Sequence, residues 1–203
     1  MRGREEALRL LDTADEIVTS RQVRAAVERM GADISKRLEA EFPVVLAVMG
    51  GAAVFIGQLL PLLHFPLEFG AIEVTRYNND IQGREINWRL PPRDNVRDRV
   101  VLVVDDILDE GITLAAIRKR LLEMGAREVL SAVFADKDIG REKPVAADFI
   151  GVTVPNRYVF GFGMDAYGLW RNLPAIYALK EQKALKTQMN ADATQMNVPQ
   201  IEE

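Results

Sequence analysis

One stretch of thirteen residues, Val101 to Thr113 (VLVVDDILDEGIT), limits what this chain can fold into more than any other. Four apolar residues run into a pair of acids, Asp105 and Asp106. Two more apolar residues lead to Asp109, Glu110, Gly111, Ile112 and Thr113, and a helical pattern follows. The segment reads as a buried strand ending in carboxylates, a short glycine-containing loop and the start of a helix. A helix N-terminus leaves backbone N–H groups unpaired and carries partial positive charge, which suits a phosphate. Adjacent carboxylates at the strand end suit vicinal hydroxyls, and phosphate plus diol on one scaffold describes a ribose phosphate. Two plainer readings exist: a strand end before a turn, or the acid pair of a response-regulator receiver domain. A receiver carries its pair near the N-terminus, whereas this one lies mid-chain with no good strand-end phosphoacceptor after it. No GxxxxGK loop occurs.

The remaining pattern predicts where that unit sits. Helices are expected from Glu5 to Val18, and from a Ser20 N-cap to about Ala40 with Val23, Val27, Met30, Ile34 and Leu38 on one face. The apolar run Val44–Met49 suits a parallel strand covered on both faces. Gly50 and Gly51 break it, and an apolar helix reaches about Leu63. Strands are predicted at Ala71–Thr75, Val129–Phe134, Phe149–Val154 and Ala175–Leu179. Residues Tyr77–Asn95 read as a long mobile loop with a short hairpin around Ile86–Leu90. Strands alternating with helices give an α/β fold, a doubly wound, mainly parallel sheet flanked by helices.

The 203 residues, 48% of them hydrophobic, are enough for one such domain. The chain has no cysteine, which rules out disulfides and thiolate metal sites. A net charge of −4 argues against a broad nucleic-acid surface. No N-terminal stretch joins basic residues to an apolar core, and Ala52–Leu63 is too short to span a membrane. A cytoplasmic protein with no membrane partner is therefore expected. Residues 181–203 are polar, carry TQMN twice, and read as a flexible tail.

The Val101–Thr113 stretch resembles the phosphoribosyl-pyrophosphate signature of the type I phosphoribosyltransferases. It departs at Glu110, where members carry Ser or Thr, and at Ile112, where a polar residue is common. Three further motifs follow the family's order. Met49–Gly50–Gly51 resembles its pyrophosphate loop, with Met49 replacing the usual basic residue. Asp136–Lys137, followed by Asp148–Phe149–Ile150–Gly151, narrows the likeness to the hypoxanthine-guanine (6-oxopurine) members. An ammonium only donates hydrogen bonds, so Lys137 suits a 6-oxo group and meets an amino group badly. Tyr158–Asp165 (YVFGFGMD) with Arg171–Pro174 (RNLP) is the fourth. The plain reading of Phe160 and Phe162 is core packing. His64, Trp88 and Trp170 receive no role.

The resemblance, which covers about Val44 to Leu179, implies purine salvage. Phosphoribosyl pyrophosphate and hypoxanthine or guanine would give the nucleoside monophosphate and pyrophosphate. It implies that Asp105, Asp106, Asp109, Glu110, Gly111, Ile112 and Thr113 bind the phosphoribosyl group, with Asp109 as catalytic base. Lys137, Tyr158, Val159 and Asp165 would bind the purine; Gly50, Gly51 and Arg171 would bind pyrophosphate. Arg76 and Tyr77 would open a flap, and Asp165, Asp105 and Asp106 would hold Mg2+. It implies one domain over 1–180, with a core at about 40–155 and a hood from about 1–40 and 155–180. It also implies a homodimer or homotetramer, for which the apolar helix near Ala52–Leu63 offers an interface. A transferase for xanthine, or a regulator of the same fold that binds nucleotide and nucleic acid, are the alternatives.

Overall fold

The computed structural model describes residues 3–76 and 86–180. The predicted tail and residues 77–85 of the predicted loop, Tyr77 included, lie outside the described residues. The first helix, α1, covers Arg4–Asp12 and stops well short of Val18. At Thr13 the hydroxyl turns back to donate to the Arg9 carbonyl (2.8 Å), and Asp15–Val18 leaves as strand β1. Helix α2 spans Ser20–Leu38 with Thr19, not Ser20, as its N-cap. Thr19 and Gln22 form a capping box: the Gln22 N–H donates to Thr19 Oγ1 (3.3 Å) and the Thr19 N–H to Gln22 Oε1 (2.8 Å). Its predicted apolar stripe is buried.

Strand β2 (Val44–Met49) leads to helix α3 (Ala53–Leu59), which gives way to a 3-10 turn at Leu60–Leu62 rather than continuing to Leu63. Pro61 accounts for the change, since proline lacks an N–H and its ring clashes with the carbonyl four residues back. Phe55, Ile56 and Leu59 of α3 are buried in the core, so the apolar face expected to form an interface is covered within the chain. Strand β3 (Glu68–Arg76) is longer than expected, and β4 (Ile86–Leu90) pairs antiparallel with it. Then come β5 (Val100–Leu108), α4 (Ile112–Glu123), β6 (Glu128–Asp138), β7 (Phe149–Pro155), β8 (Val159–Phe160) and β9 (Ile176–Ala178).

The main sheet has the order β4-β3-β2-β5-β6-β7, and every neighbouring pair except β3/β4 is parallel. This is the mainly parallel α/β sheet that the sequence predicts. The predicted last strand departs from it. β9 runs antiparallel between β1 and β8 in a separate three-stranded sheet, joining both ends of the described chain. Alternate residues of the central strands feed two cores, as a strand period of two requires. Val45, Ala47, Leu102 and Val104 meet α2 and α3; Val44, Leu46, Val101 and Val103 meet α4. The small sheet docks on the first of these cores. Phe162 is fully buried, with its ring centroid 4.3 Å from Phe134 and 6.3 Å from Phe55. Phe160 is buried against Tyr177. Arg157 donates to Asp15 (2.6 Å), and Trp170 Nε1 donates to the Ala7 carbonyl (3.0 Å), holding α1 and β1 to the C-terminal segment.

Candidate active site

Strand β5 ends at Leu108, opposite Asp136 of β6. In open α/β sheets the carboxyl ends of parallel strands form the crevice where ligands bind. The next residue on each chain faces that crevice. Lys137, expected just past its strand, lies inside β6 because β6 runs on to Asp138. Its Nζ sits 2.9 Å from Asp109 Oδ2, with the lysine side chain 12% exposed and the aspartate 43%. Beyond Asp109 the loop turns through Gly111, whose φ of +79° is the left-handed region that favours glycine, and α4 begins at Ile112.

The acid pair lies behind this loop. The Asp106 N–H donates to Asp105 Oδ1 (2.9 Å), and Asp106 is buried. Burial pushes the Asp105 carboxyl well above the ordinary aspartate range, and the adjacent Asp106 charge adds to it. Asp106 is raised too, mainly by burial, with its hydrogen bond from Asp105 and the Arg171 guanidinium pulling the other way. Two glycines allow the close approach of three chain segments here. A Cβ on Gly51 would stand 2.1 Å from Asp106 Oδ2, and one on Gly163 (φ +102°) would stand 2.1 Å from the Gly51 carbonyl oxygen. The Met49–Gly50 peptide is cis.

The segment after β7, part of the expected hood, supplies the opposite wall. Tyr158, 45% exposed, stacks on Tyr167 with centroids 5.4 Å apart and rings 16° from parallel. Asp165 Oδ1 pairs with Arg171 Nη2 (2.6 Å), and its Oδ2 accepts the Gly168 N–H (2.6 Å). Arg171 Nη1 donates to the Gly163 carbonyl (2.7 Å) and reaches within 4.0 Å of Asp106 Oδ2.

Two cavities follow from this arrangement. One, about 340 Å³, is lined by Asp105, Asp106, Leu108, Asp109, Gly111 and Thr113 among others. Its neighbour, about 240 Å³, is lined by Lys137, Tyr158, Val159, Met164 and Asp165. Asp106, Ile107 and Asp109 line both, so the two cavities adjoin along these residues. Glu110 and Ile112, expected at the phosphoribosyl loop, line neither. Glu110 Oε1 sits 3.2 Å from Arg141 Nη2 instead. Gly50, Gly51 and Arg171 are not among the residues that line these two cavities. Arg76 ends β3. Ile107 and Met164 line the smaller cavity without being among the expected site residues. Their signal was position alone, beside Asp106 and Asp165.

Among the described residues no group of three or more His, Cys, Asp or Glu is arranged to hold a metal ion. Asp105, Asp106 and Asp165 nevertheless supply carboxylate oxygens around the cleft. This donor set fits a hard cation that takes one or two carboxylates and completes its shell with substrate phosphate and water.

A strand-end acid pair, a glycine loop at a helix N-terminus and a hood closing over both define a phosphoribosyl-transfer scaffold. Comparison with known proteins agrees: residues 13–167 match the phosphoribosyl transferase domain, and the chain belongs to that family. Within it, the chain is 30% identical over 82% of its length to the hypoxanthine-guanine phosphoribosyltransferase of Streptococcus pneumoniae, covering 93% of that protein. It is 32% identical over 78% of its length to the hypoxanthine-guanine-xanthine phosphoribosyltransferase of Tritrichomonas foetus, covering 87% of it. The crystal structure of a hypoxanthine phosphoribosyltransferase from Staphylococcus aureus superposes with a TM-score of 0.77. It covers 84% of this chain and 94% of the other at 24% identity, which shows a shared fold.

Proposed function

We propose that this protein is a purine-salvage enzyme that transfers the phosphoribosyl group of phosphoribosyl pyrophosphate to hypoxanthine or guanine, releasing pyrophosphate. One observation carries the reading. Lys137 and Asp109, a pure donor and an acceptor, are held 2.9 Å apart where the phosphate-loop cavity meets the cavity walled by Tyr158.

The residues divide the work. N–H groups of the loop from Asp109 to Thr113 and the Thr113 hydroxyl take the 5′-phosphate. Asp105 and Asp106 take the ribose hydroxyls, and the negative charge that the pair retains favours the cationic sugar that forms as the anomeric bond breaks. Lys137 and Asp109 satisfy each other until the purine parts them. The ammonium then donates to the 6-oxo oxygen, and the carboxylate accepts the N7 proton as N9 attacks. Tyr158 stacks on the base, a contact of about 1–3 kcal/mol by analogy with base stacking on aromatic side chains. The main chain of Val159 meets the purine edge. Arg171, with Gly50 and Gly51, receives pyrophosphate; the planar guanidinium suits phosphate oxygens. Arg76 and Tyr77 begin the flap that excludes water. Magnesium, held by Asp165 with Asp105 and Asp106, would offset charge growing on pyrophosphate when bound.

On this reading residues 1–180 are one domain, a core at about 40–155 with a hood from both chain ends. The protein works in the cytoplasm as a dimer or tetramer. Among the described residues no helix is long and apolar enough to cross a membrane. A spectrophotometric assay with phosphoribosyl pyrophosphate, magnesium and each of hypoxanthine, guanine, xanthine, adenine and uracil tests the proposal. Turnover with hypoxanthine or guanine and none with adenine or uracil is expected; turnover with neither 6-oxopurine overturns it. The xanthine arm has a specific motive. Arg171 pairs with Asp165 and so offsets the carboxylate charge that would repel the 2-oxo group of xanthine.

A further inference from the structure

The back of the cleft carries an ion pair that none of the roles above uses. Lys143 is only 11% exposed. Its Nζ donates to the Leu108 carbonyl (2.7 Å) and to Asp136 Oδ1 (2.5 Å). Leu108 and Asp136 are register partners at the end of the β5/β6 ladder, and the residue after each is a proposed reacting group, Asp109 and Lys137. Successive side chains of a strand point to opposite faces. Asp136 therefore meets Lys143 on one side of the sheet while Lys137 meets Asp109 on the other. Two crossed ion pairs bracket the same two strand ends. The chain around Lys143 adds a steric brace. A Cβ on Gly111 would come within 3.3 Å of Pro144 Cδ and 3.4 Å of Lys143 Cβ, so this segment lies directly against the turn of the phosphate loop.

We propose that Lys143 is a positioning residue for phosphoribosyl transfer: it clamps the Leu108 carbonyl to Asp136, fixing the Asp109–Gly111 loop against β6 and setting Asp109 opposite Lys137. The inference rests on the proposed function of the cleft. An ammonium is suited to the task because its donors can serve a carboxylate and a carbonyl at once. A hydrophobic replacement would leave the partly buried Asp136 carboxylate and the Leu108 carbonyl without that donor. Reacting groups displaced by about 1 Å can cost on the order of 100-fold in rate.

The test uses the full-length protein and the variants Lys143→Met, Lys143→Arg and Asp136→Asn. It reads kcat and KM for each substrate at 25 °C, the affinity for phosphoribosyl pyrophosphate with magnesium by titration calorimetry, and the melting temperature. For Lys143→Met, phosphoribosyl pyrophosphate affinity is expected to fall at least 10-fold and kcat at least 10-fold. Lys143→Arg, which retains two or more donors, should recover most of both. Asp136→Asn should be the milder change, because the bond to Leu108 survives. A merely structural lysine would lower the melting temperature of Lys143→Met while leaving kcat, both KM values and the calorimetric affinity within twofold of wild type, and that result overturns the proposal. Equal losses in Lys143→Met and Lys143→Arg overturn it as well. Failure of the wild type to turn over any 6-oxopurine would refute the enzyme reading instead. The calorimetric comparison of wild type with Lys143→Met then still decides the clamp: an affinity change below twofold overturns it, and a loss of at least 10-fold supports it.

Discussion

Asp105 and Asp109 are four residues apart and face opposite demands. Asp109 sits in the open part of the cleft with a lysine partner, whereas Asp105 shares a buried corner with a second carboxylate. Replacing Asp109 by Asn is expected to lower kcat by roughly 10²–10⁴-fold while the fold survives, the usual contribution of a general base. Near-normal turnover would remove Asp109 from that role. Lys137→Ala should weaken binding of hypoxanthine and guanine and relax the exclusion of adenine; unchanged purine affinities by calorimetry would contradict it. The raised carboxyl of Asp105 predicts a stability effect of definite sign. Between the ordinary aspartate pKa and its raised folded value, the folded protein holds a proton that the unfolded chain has released. Stability therefore falls as pH rises through that window and levels off above it. Melting curves of the ligand-free protein between pH 4 and pH 8 (roughly the span above an ordinary aspartate) should show this fall, and Asp105→Asn should flatten it. Parallel curves for the two proteins would refute the assignment of the effect to Asp105.

Elements that pack by repeating pattern could be read from sequence; elements defined by distant partners could not. The unbroken apolar runs of β2 and β5 and the Val23–Leu38 stripe of α2 announce their own burial, because both faces of a central strand, or one face of a helix, must meet core. The site motifs were legible for the same local reason, since loop, acids and helix start lie within thirteen residues. β1 escaped because Asp15–Val18 continues a helical spacing, and only its pairing with Ile176–Ala178 makes it a strand. Lys143 escaped because one lysine in a polar segment resembles any solvated one; its burial comes from Leu108 and Asp136, which are not its neighbours in sequence. The glycine contact between elements can be tested directly. Gly163→Ala places a methyl at a positive φ and against the Gly51 carbonyl, so it should cost at least ~1 kcal/mol. It should also weaken phosphoribosyl pyrophosphate binding by displacing Asp106. Wild-type affinity and melting temperature in this variant would show that the two loops are not held by that approach.

At the scale of the whole molecule, the hood is attached through packing as well as hydrogen bonds. Phe162 packs against Phe134 of β6 and Phe55 of α3, which also touch each other, so one ring joins the hood to both a helix and the central sheet. Phe162→Ala is expected to cost about 3–5 kcal/mol, read from chemical denaturation. It should depress purine binding more than phosphoribosyl pyrophosphate binding, because Tyr158 and Asp165 flank the lost anchor whereas the phosphate loop does not. A loss under about 1 kcal/mol would show that the aromatic cluster does not anchor the hood. The small sheet has a further consequence for biogenesis. Tyr177 donates to Glu16 across 161 residues of sequence, so β1 leaves the ribosome long before its partner is translated. A nascent chain released before β9 can complete the six main-sheet strands and leave β1 an unpaired edge. On the proposed reading the base-recognising wall is thus completed after the main sheet, and premature termination before Ile176 should yield products that grip sugar phosphate yet discriminate poorly among nucleobases.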